Sequence, residues 1–348
     1  MFGRARRVVG LDIGSSALKA VELKRTRGGY ELLSLGVEPL APETVNEGGI
    51  HDAEAMSGAI ERLFEEQKID VRDVATSIAG HAVIVKQLAA PAIEASELHD
   101  WVQSVAPQHV PFEPSDVDLS YQLLDGAAAQ NGGQLLLVAA KKDKVHSHSE
   151  AIRKAGRNPI VMDIDAFALA NCYEANYDPG PEDIVALIDL GASLTNITVV
   201  RGLLPLFTRD VSVGGQQYTD ALQREFNLDY EEAEKLKRGE SGAAPPDQVE
   251  LVLQSFLDMI VAEIGRTFDF FRSSGGDRID RILLSGGSCR LPRLPELLLR
   301  EFSVAVEEID PLRHVAIPAD RFDEARVREL APQLAVSVGL ALRSFDPT

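Results

Sequence analysis

The stretch VVGLDIGSSALKAVELKR at residues 8–25 decides the reading of this chain. Two apolar runs, VVGLDI and ALKAVEL, flank Gly14-Ser15-Ser16, a small-residue signature of a tight turn between strands. A third run, YELLSLGVEPL, follows the turn at Arg27-Gly28-Gly29, so the chain opens as a three-stranded meander. AEAMSGAIERLFEEQKI then spaces Met56, Ile60, Leu63 and Phe64 as a helix does, and VATSIAG reads as a further strand.

The same opening recurs. IVALIDLGASLTNITVVRGLLPLFTRDVSVGG, from Ile184, has three strand-like runs with turns at Gly191-Ala192-Ser193 and Arg201-Gly202. Asp12-Ile13-Gly14 and Asp189-Leu190-Gly191 lie 177 positions apart in a chain of 348 residues. Self-similarity at half the chain length predicts two related halves, each with its own sheet, whose turns face one cleft. Residues 1–180 are expected to form the first half, interrupted at about 84–150 by a small inserted subdomain of strand, helix and two strands. Within it AAAQNGG, Ala127 to Gly133, reads as a mobile hairpin tip. Residues 181–330 are expected to form the second half, with a helical part at about 216–265, and residues 331–348 a helix returning to the first half. The long amphipathic helix at 248–274 is expected to use its Phe and Met residues as core.

Composition narrows the function. Hydrophobic residues at 45% and charged residues at 26% are those of a soluble globular fold. A net charge of -19 repels phosphate backbones, so nucleic acid is not expected as a partner. Cys172 and Cys289 lack metal-ligand spacing and read as buried thiols. No apolar run is long enough for a membrane span, and MFGRARRVVGLDIG lacks a signal-peptide core, so the expected location is the cytoplasm.

The chemistry centres on the repeated turns. Backbone N–H groups of a strand–turn–strand of type Asp-x-Gly-Ser-Ser can cradle phosphate oxygens, although a single such turn is equally a plain hairpin. On this reading Gly14, Ser15 and Ser16 hold phosphate, Asp12 holds the water shell of a magnesium ion, and Lys19 reaches a β- or γ-phosphate. Asp189, Gly191, Ser193 and Thr195 repeat the arrangement from the other half, Asp189 again toward magnesium through water. Gly286, Gly287 and Ser288, between a strand and a helix, are expected to let a nucleoside lie against backbone, with N–H groups offered by the following helix start.

This order of motifs resembles the actin-like ATPase superfamily, whose fold is two duplicated RNase H-like halves around a central ATP cleft. The resemblance implies phosphate-1 at Asp12 to Lys19, connect-1 at Asp163 to Asn171, phosphate-2 at Asp189 to Thr195, adenosine at Ser285 to Ser288 and connect-2 near Ala335 to Leu340. It places Asp165 as the residue orienting an attacking water, Glu234 and Lys237 beside the ribose and adenine, and Gly214 and Gly215 at a nucleotide-contacting helix start. Asn196 stands where the superfamily often has an acid after its threonine, which points to slow hydrolysis at most.

Three segments are more particular: VVGLDIGSSALKAVEL after MFG, DIDAFALANCYE, and HVPFEPSDVDLSYQLL. Together they are similar to the PilM family of type IV pilus assembly proteins over almost the whole chain. That resemblance implies an inserted subdomain like that of FtsA, ATP with magnesium, and a groove for the N-terminal cytoplasmic tail of the inner-membrane protein PilN, with Val110, Pro111 and Phe112 as candidate lining. It also implies contacts with platform proteins or pilus motor ATPases, indirect membrane association and a role in twitching motility. An FtsA-like division adaptor, a type II secretion adaptor and a sugar or acetate kinase remain the alternatives.

Overall fold

The computed structural model describes residues 7–345 apart from 47, 95, 125–132 and 241, so the hairpin tip expected at 127–133 lies outside it except for Gly133. The chain begins β1 (Val9–Ile13), β2 (Ala17–Thr26), β3 (Gly29–Pro39), β4 (Val45–Asn46), β5 (Gly49–Ile50), α1 (Ala53–Glu66) and β6 (Asp73–Ile78). There follow β7 (Val83–Ala90), α2 (Leu98–His109), β8 (Val117–Leu123), β9 (Gly133–Lys141), α3 (Lys142–Lys154), β10 (Asn158–Ile164) and α4 (Asp165–Tyr177). The remainder holds β11 (Ile184–Leu190), β12 (Thr195–Arg201), β13 (Leu204–Val211), α5 (Gly215–Phe226), α6 (Tyr230–Lys237) and α7 (Pro246–Ser273). It closes with β14 (Arg281–Ser285), α8 (Leu294–Phe302), β15 (Ala305–Glu308), β16 (Val315–Ala316), α9 (Glu324–Leu330) and α10 (Ala335–Leu342).

The repeat read from the sequence is a repeat of topology. One sheet runs β10-β6-β1-β2-β3-β16 and another β13-β12-β11-β14-β15. In the first, β10, β6 and β1 are parallel and β2 and β3 antiparallel; in the second, β15, β14 and β11 are parallel and β12 and β13 antiparallel. β1 and β11 therefore hold the same central place, and their near-continuous apolar sequences are those of strands covered on both faces. β1 is buried throughout. The inserted segment forms its own sheet, β7-β9-β8, with α2 packed on one face through Val102 and Ala106.

Two helices join the halves. Leu169, Cys172 and Tyr173 of α4 share a core with Val185, Leu187 and Val200 of the second sheet and with Leu334, Ala335 and Val338 around α10. Each such buried aliphatic side chain contributes roughly 1.5–3 kcal/mol of transfer free energy, so this seam binds the halves where the helices cross. Gly339 makes the crossing possible, because a Cβ there would collide with the Ala168 carbonyl oxygen.

Three expectations need correction. Val110 is buried in the core of the inserted sheet and so lines no groove, while Pro111 is exposed and Phe112 packs half-buried on that core beneath the Lys141 ammonium 4.8 Å away. On α7, Phe256, Phe268 and Phe271 are core, but Met259 and Phe270 face outward. The helix after Ser288 starts only at Leu294, with turns between, so its N-terminus is not at the Gly286-Gly287 turn. Both cysteines are buried and free, and burial lifts both thiols above the usual range.

Candidate functional site: a cleft between two aspartate turns

The register of each hairpin positions its charged residues. Across β1 and β2 Asp12 stands opposite Lys19, and across β11 and β12 Asp189 stands opposite Asn196. In each turn the glycine N–H donates back across the loop, Gly14 to the Ala17 carbonyl at 3.2 Å and Gly191 to the Leu194 carbonyl at 3.0 Å. These two N–H groups close the hairpins and leave the following residues at the rim. The two rims touch, for the Ser15 and Ser193 hydroxyls share a hydrogen bond.

Beneath them lies a cavity of about 270 Å³. It is lined by Asp12, Gly14, Ser15, Ser16 and Lys19 from the first half and by Asp189, Gly191, Glu234, Lys237, Gly286, Gly287 and Ser288 from the second, with Asp165 between. Lys19 Nζ pairs with Asp12 Oδ2 at 3.1 Å. Burial by itself lowers the Lys19 pKa; the charge and hydrogen bond of Asp12, with Asp189 and Asp165 behind it, outweigh that and hold it above the ordinary lysine value. Gly14 leaves the space this ammonium needs, since a Cβ would sit 2.6 Å from Lys19 Nζ.

Asp189 has no such cation opposite. Its Oδ1 accepts from Ser285 Oγ at 2.7 Å, but burial and nearby Asp12 raise its carboxyl to about 6. Asp165, the first residue of α4, is held well above the usual carboxylate range by burial and then by Asp12, Asp210 and Asp189. Five carboxylates, those of Asp12, Asp165, Asp189, Asp210 and Glu234, thus line the cavity, and a bound cation would relieve their mutual repulsion.

Glu234 and Lys237 form a built network, not a solvated pair. Lys237 Nζ donates to the Gly215 carbonyl at 2.9 Å, to Thr219 Oγ1 at 3.1 Å and to Glu234 Oε1 at 3.1 Å, while Thr219 Oγ1 also donates to Glu234. The face of α6 is thereby fixed to the start of α5 at the cavity wall. Gly286, at φ +90°, occupies the left-handed region that favours glycine, and its N–H donates to Pro332 O at 2.9 Å. Gly287 is exposed, with open space beside its α-carbon.

Ser193, Thr195, Gly214 and Gly215 support the cavity without lining it. Thr195 is fully buried and donates to the Val213 carbonyl at 2.6 Å. A Cβ on Gly214 would collide with the Ala192 carbonyl, and Gly215 N–H donates to Gly191 O at 2.9 Å. Tyr230, Arg238, His148, Gln216 and Asp210 also line the cavity and were missed. Tyr230 and Arg238 lie four before and four after Glu234, a spacing that could have flagged them. Asp210 carries a weaker signal, as the strand-end acid facing Asn196 across a hairpin.

Two duplicated, meander-opened sheets closing on an acidic cleft define an actin-like ATPase fold, and solved structures agree. The chain belongs to the PilM family of type IV pilus assembly proteins, whose profile, described as "Type IV pilus assembly protein PilM", matches residues 10–345. It is similar to a chain of a PilM-PilN type IV pilus biogenesis complex, with 30% identity, a TM-score of 0.89 and coverage of 99% of this chain and 100% of that one. The cell division protein FtsA of Streptococcus pneumoniae serotype 2 is 24% identical over 347 residues, 86% of this chain and 74% of FtsA. MreB5 of Spiroplasma citri bound to AMPPNP shares the fold, with a TM-score of 0.52 and 12% identity over 97% of this chain and 95% of that one. Among the described residues no helix is long and apolar enough to cross a membrane.

Proposed function

We propose that this chain is an ATP-binding adaptor of type IV pilus assembly that takes the N-terminal cytoplasmic tail of an inner-membrane PilN. The observation that carries the nucleotide part is the convergence of both aspartate turns and the Gly286-Gly287 turn on one cavity around the Lys19 ammonium. Phosphates would lie between the hairpin rims, against Ser15, Ser16 and Lys19, and the nucleoside against Gly287 and the Glu234–Lys237 network. The carboxylates around the cavity fit a magnesium ion, held through water by Asp12 and Asp189, since Mg²⁺ keeps several waters and takes few carboxylates directly. Bound there, the ion would neutralise phosphate charge.

Hydrolysis is expected to be slow. Asp165 would orient an attacking water, but burial and the neighbouring aspartates favour its protonated form, which cannot take that water's proton. Asn196, opposite Asp189, brings an amide where a carboxylate would hold metal water more strongly.

For the partner, the similarity to a chain of a PilM-PilN complex is the support. A channel of about 550 Å³ between the inserted sheet and the first half suits an extended peptide. Leu136, Val138, Met162 and Phe167 give it apolar walls, and Arg343 Nε faces Asp163 Oδ2 at 3.3 Å on its floor. Engagement of a membrane-anchored tail would hold the chain at the cytoplasmic face of the inner membrane and link it to platform proteins, motor ATPases and twitching motility.

The test is calorimetric titration with a synthetic PilN N-terminal peptide, with and without ATP and magnesium. Binding that is lost in Val138→Asp, with ATP binding retained, is the expected result. Absence of peptide binding in every condition overturns the partner assignment, and ATP affinity unchanged in Asp12→Ala and Lys19→Ala overturns the cleft assignment.

A further inference from the structure

Asp210 lies one residue before the end of β13, the edge strand of the second sheet, and touches the first half. Its Oδ1 accepts from Asn196 Nδ2 at 2.7 Å, and its Oδ2 accepts the backbone N–H of Gly80 at 2.6 Å. Gly80 lies between β6 and β7, where the chain leaves the first sheet for the inserted subdomain. Two other bonds run beside this one: His81 Nε2 with Ser212 Oγ at 3.1 Å, and Gln87 Nε2 to the Pro205 carbonyl at 2.6 Å. The root and edge strand of the insertion are thus fastened to β13.

Of the residues in these three contacts, Asp210 is the one that also lines the nucleotide cavity. Behind it a second cavity of about 470 Å³ opens between β7, β13 and the end of β10. Ile78, Asp165, Asn196 and Asp210 line both cavities and form their common wall. Asn196 is fixed within that wall, its Oδ1 accepting from Thr198 Oγ1 at 2.8 Å while its amide serves Asp210.

We propose that Asp210 couples the cleft to the inserted subdomain: nucleotide and metal beside its carboxylate alter its grip on the Gly80 N–H, so nucleotide and a peptide seated against the insertion change one another's affinity. This rests on the ATP and peptide reading above. The physical basis is that a hydrogen bond to an ionised acceptor weakens when that charge is drawn to another partner. Linkage makes the effect reciprocal, and coupling of this kind is typically worth about fivefold or more in affinity.

The experiment uses the full chain. Nucleotide binding is first measured by calorimetry with a non-hydrolysable ATP analogue and magnesium; its absence sinks the cleft reading and this proposal with it. Hydrogen exchange at the amides of residues 80–85 is then compared with and without the analogue. Exchange there is expected to change on binding in the wild type and in Gln87→Ala, whose contact lies away from the cavity, but not in Asp210→Asn, which keeps the side-chain shape. The peptide affinity should likewise shift by about fivefold with the analogue in the wild type and by less than twofold in Asp210→Asn. An unchanged exchange rate in the wild type with nucleotide bound, or a response in Asp210→Asn equal to that of the wild type, overturns the proposal while leaving the nucleotide site intact.

Discussion

Lys19 and Asn196 are structural counterparts: each faces the cleft aspartate of its own half across the first hairpin, Asp12 in one case and Asp189 in the other. The duplicated frame therefore carries a cation on one side and a neutral amide on the other. The consequence is electrostatic. Asp12 has a paired ammonium, whereas Asp189 is left with a hydroxyl donor and a carboxyl raised to about 6.

A pH dependence follows from Asp189. A raised carboxyl favours the protonated native state, so its contribution to the stability of the free protein is full below about 4 and is lost as pH rises through about 6. Cation binding has the opposite sign, because the metal competes with that proton. Magnesium-dependent ATP affinity should fall by up to about tenfold per pH unit below about 6, beyond the effect of nucleotide protonation itself. Calorimetry at several pH values will show this, and Asp189→Asn should remove the excess dependence.

Removing Lys19 exposes the other half of the asymmetry. Lys19→Ala leaves the Asp12 carboxylate, buried at 7% exposure, without its ion pair. A loss of about 3 kcal/mol in stability is expected, together with loss of ATP binding. Chemical denaturation separates the two effects, and stability unchanged by the substitution would contradict the pairing.

The Ser15–Ser193 bond predicts how the rims behave. A phosphate entering between them must exchange this bond for bonds of its own. Ser193→Ala should therefore increase hydrogen exchange in residues 14–17 and 191–195 of the free protein, with protection restored by ATP and magnesium. Equal exchange in the free wild type and variant would show that the hydroxyls do not hold the rims together.

His148, on α3 beside the cavity, supplies an acid-stability prediction. Burial lowers its pKa from 6.5 to about 4, and it is 2% exposed. A depressed value means that its stabilising contribution is present above about 6.5 and is lost as pH falls toward about 4, a span worth on the order of 3 kcal/mol. Unfolding free energies at pH 7 and pH 4.5 should differ less in His148→Gln than in the wild type.

Gly339 tests the crossing of the joining helices. Gly339→Ala would drive a methyl into the Ala168 carbonyl, and neither helix can retreat from the shared core. Destabilisation of about 3 kcal/mol is expected by thermal unfolding.

Much of the site was legible because hairpin register is a local property. Once Gly14 and Gly191 mark the turns, the pairings Asp12–Lys19 and Asp189–Asn196 follow from counting outward along two strands. Periodicity gave α1 and α7, but it could not say which side of α7 the Phe and Met residues would face, because that depends on α5 and α8 arriving from elsewhere in the chain. Val110 was misplaced for a related reason: an apolar residue looks the same whether it covers a core or lines a groove. The Asp210–Gly80 bond spans 130 positions and carries no short-range signal. α9, and the pairing of β16 with β3, were likewise unread, since a two-residue strand has too little pattern to detect.

The insertion leaves and returns at one point. Ala82 and Lys141 are joined by a backbone hydrogen bond of 2.9 Å, and Val83 pairs with Ala140 in the first rung beyond them. A lineage could therefore exchange everything past that rung for another module, or for a short turn, without rethreading the surrounding sheet. What such an exchange must preserve is cover for Ile78, Ile164 and Ala166, the apolar patch on which Val83, Val85 and Val138 now rest. A replacement that left those three bare would trade a packed seam for an adhesive surface.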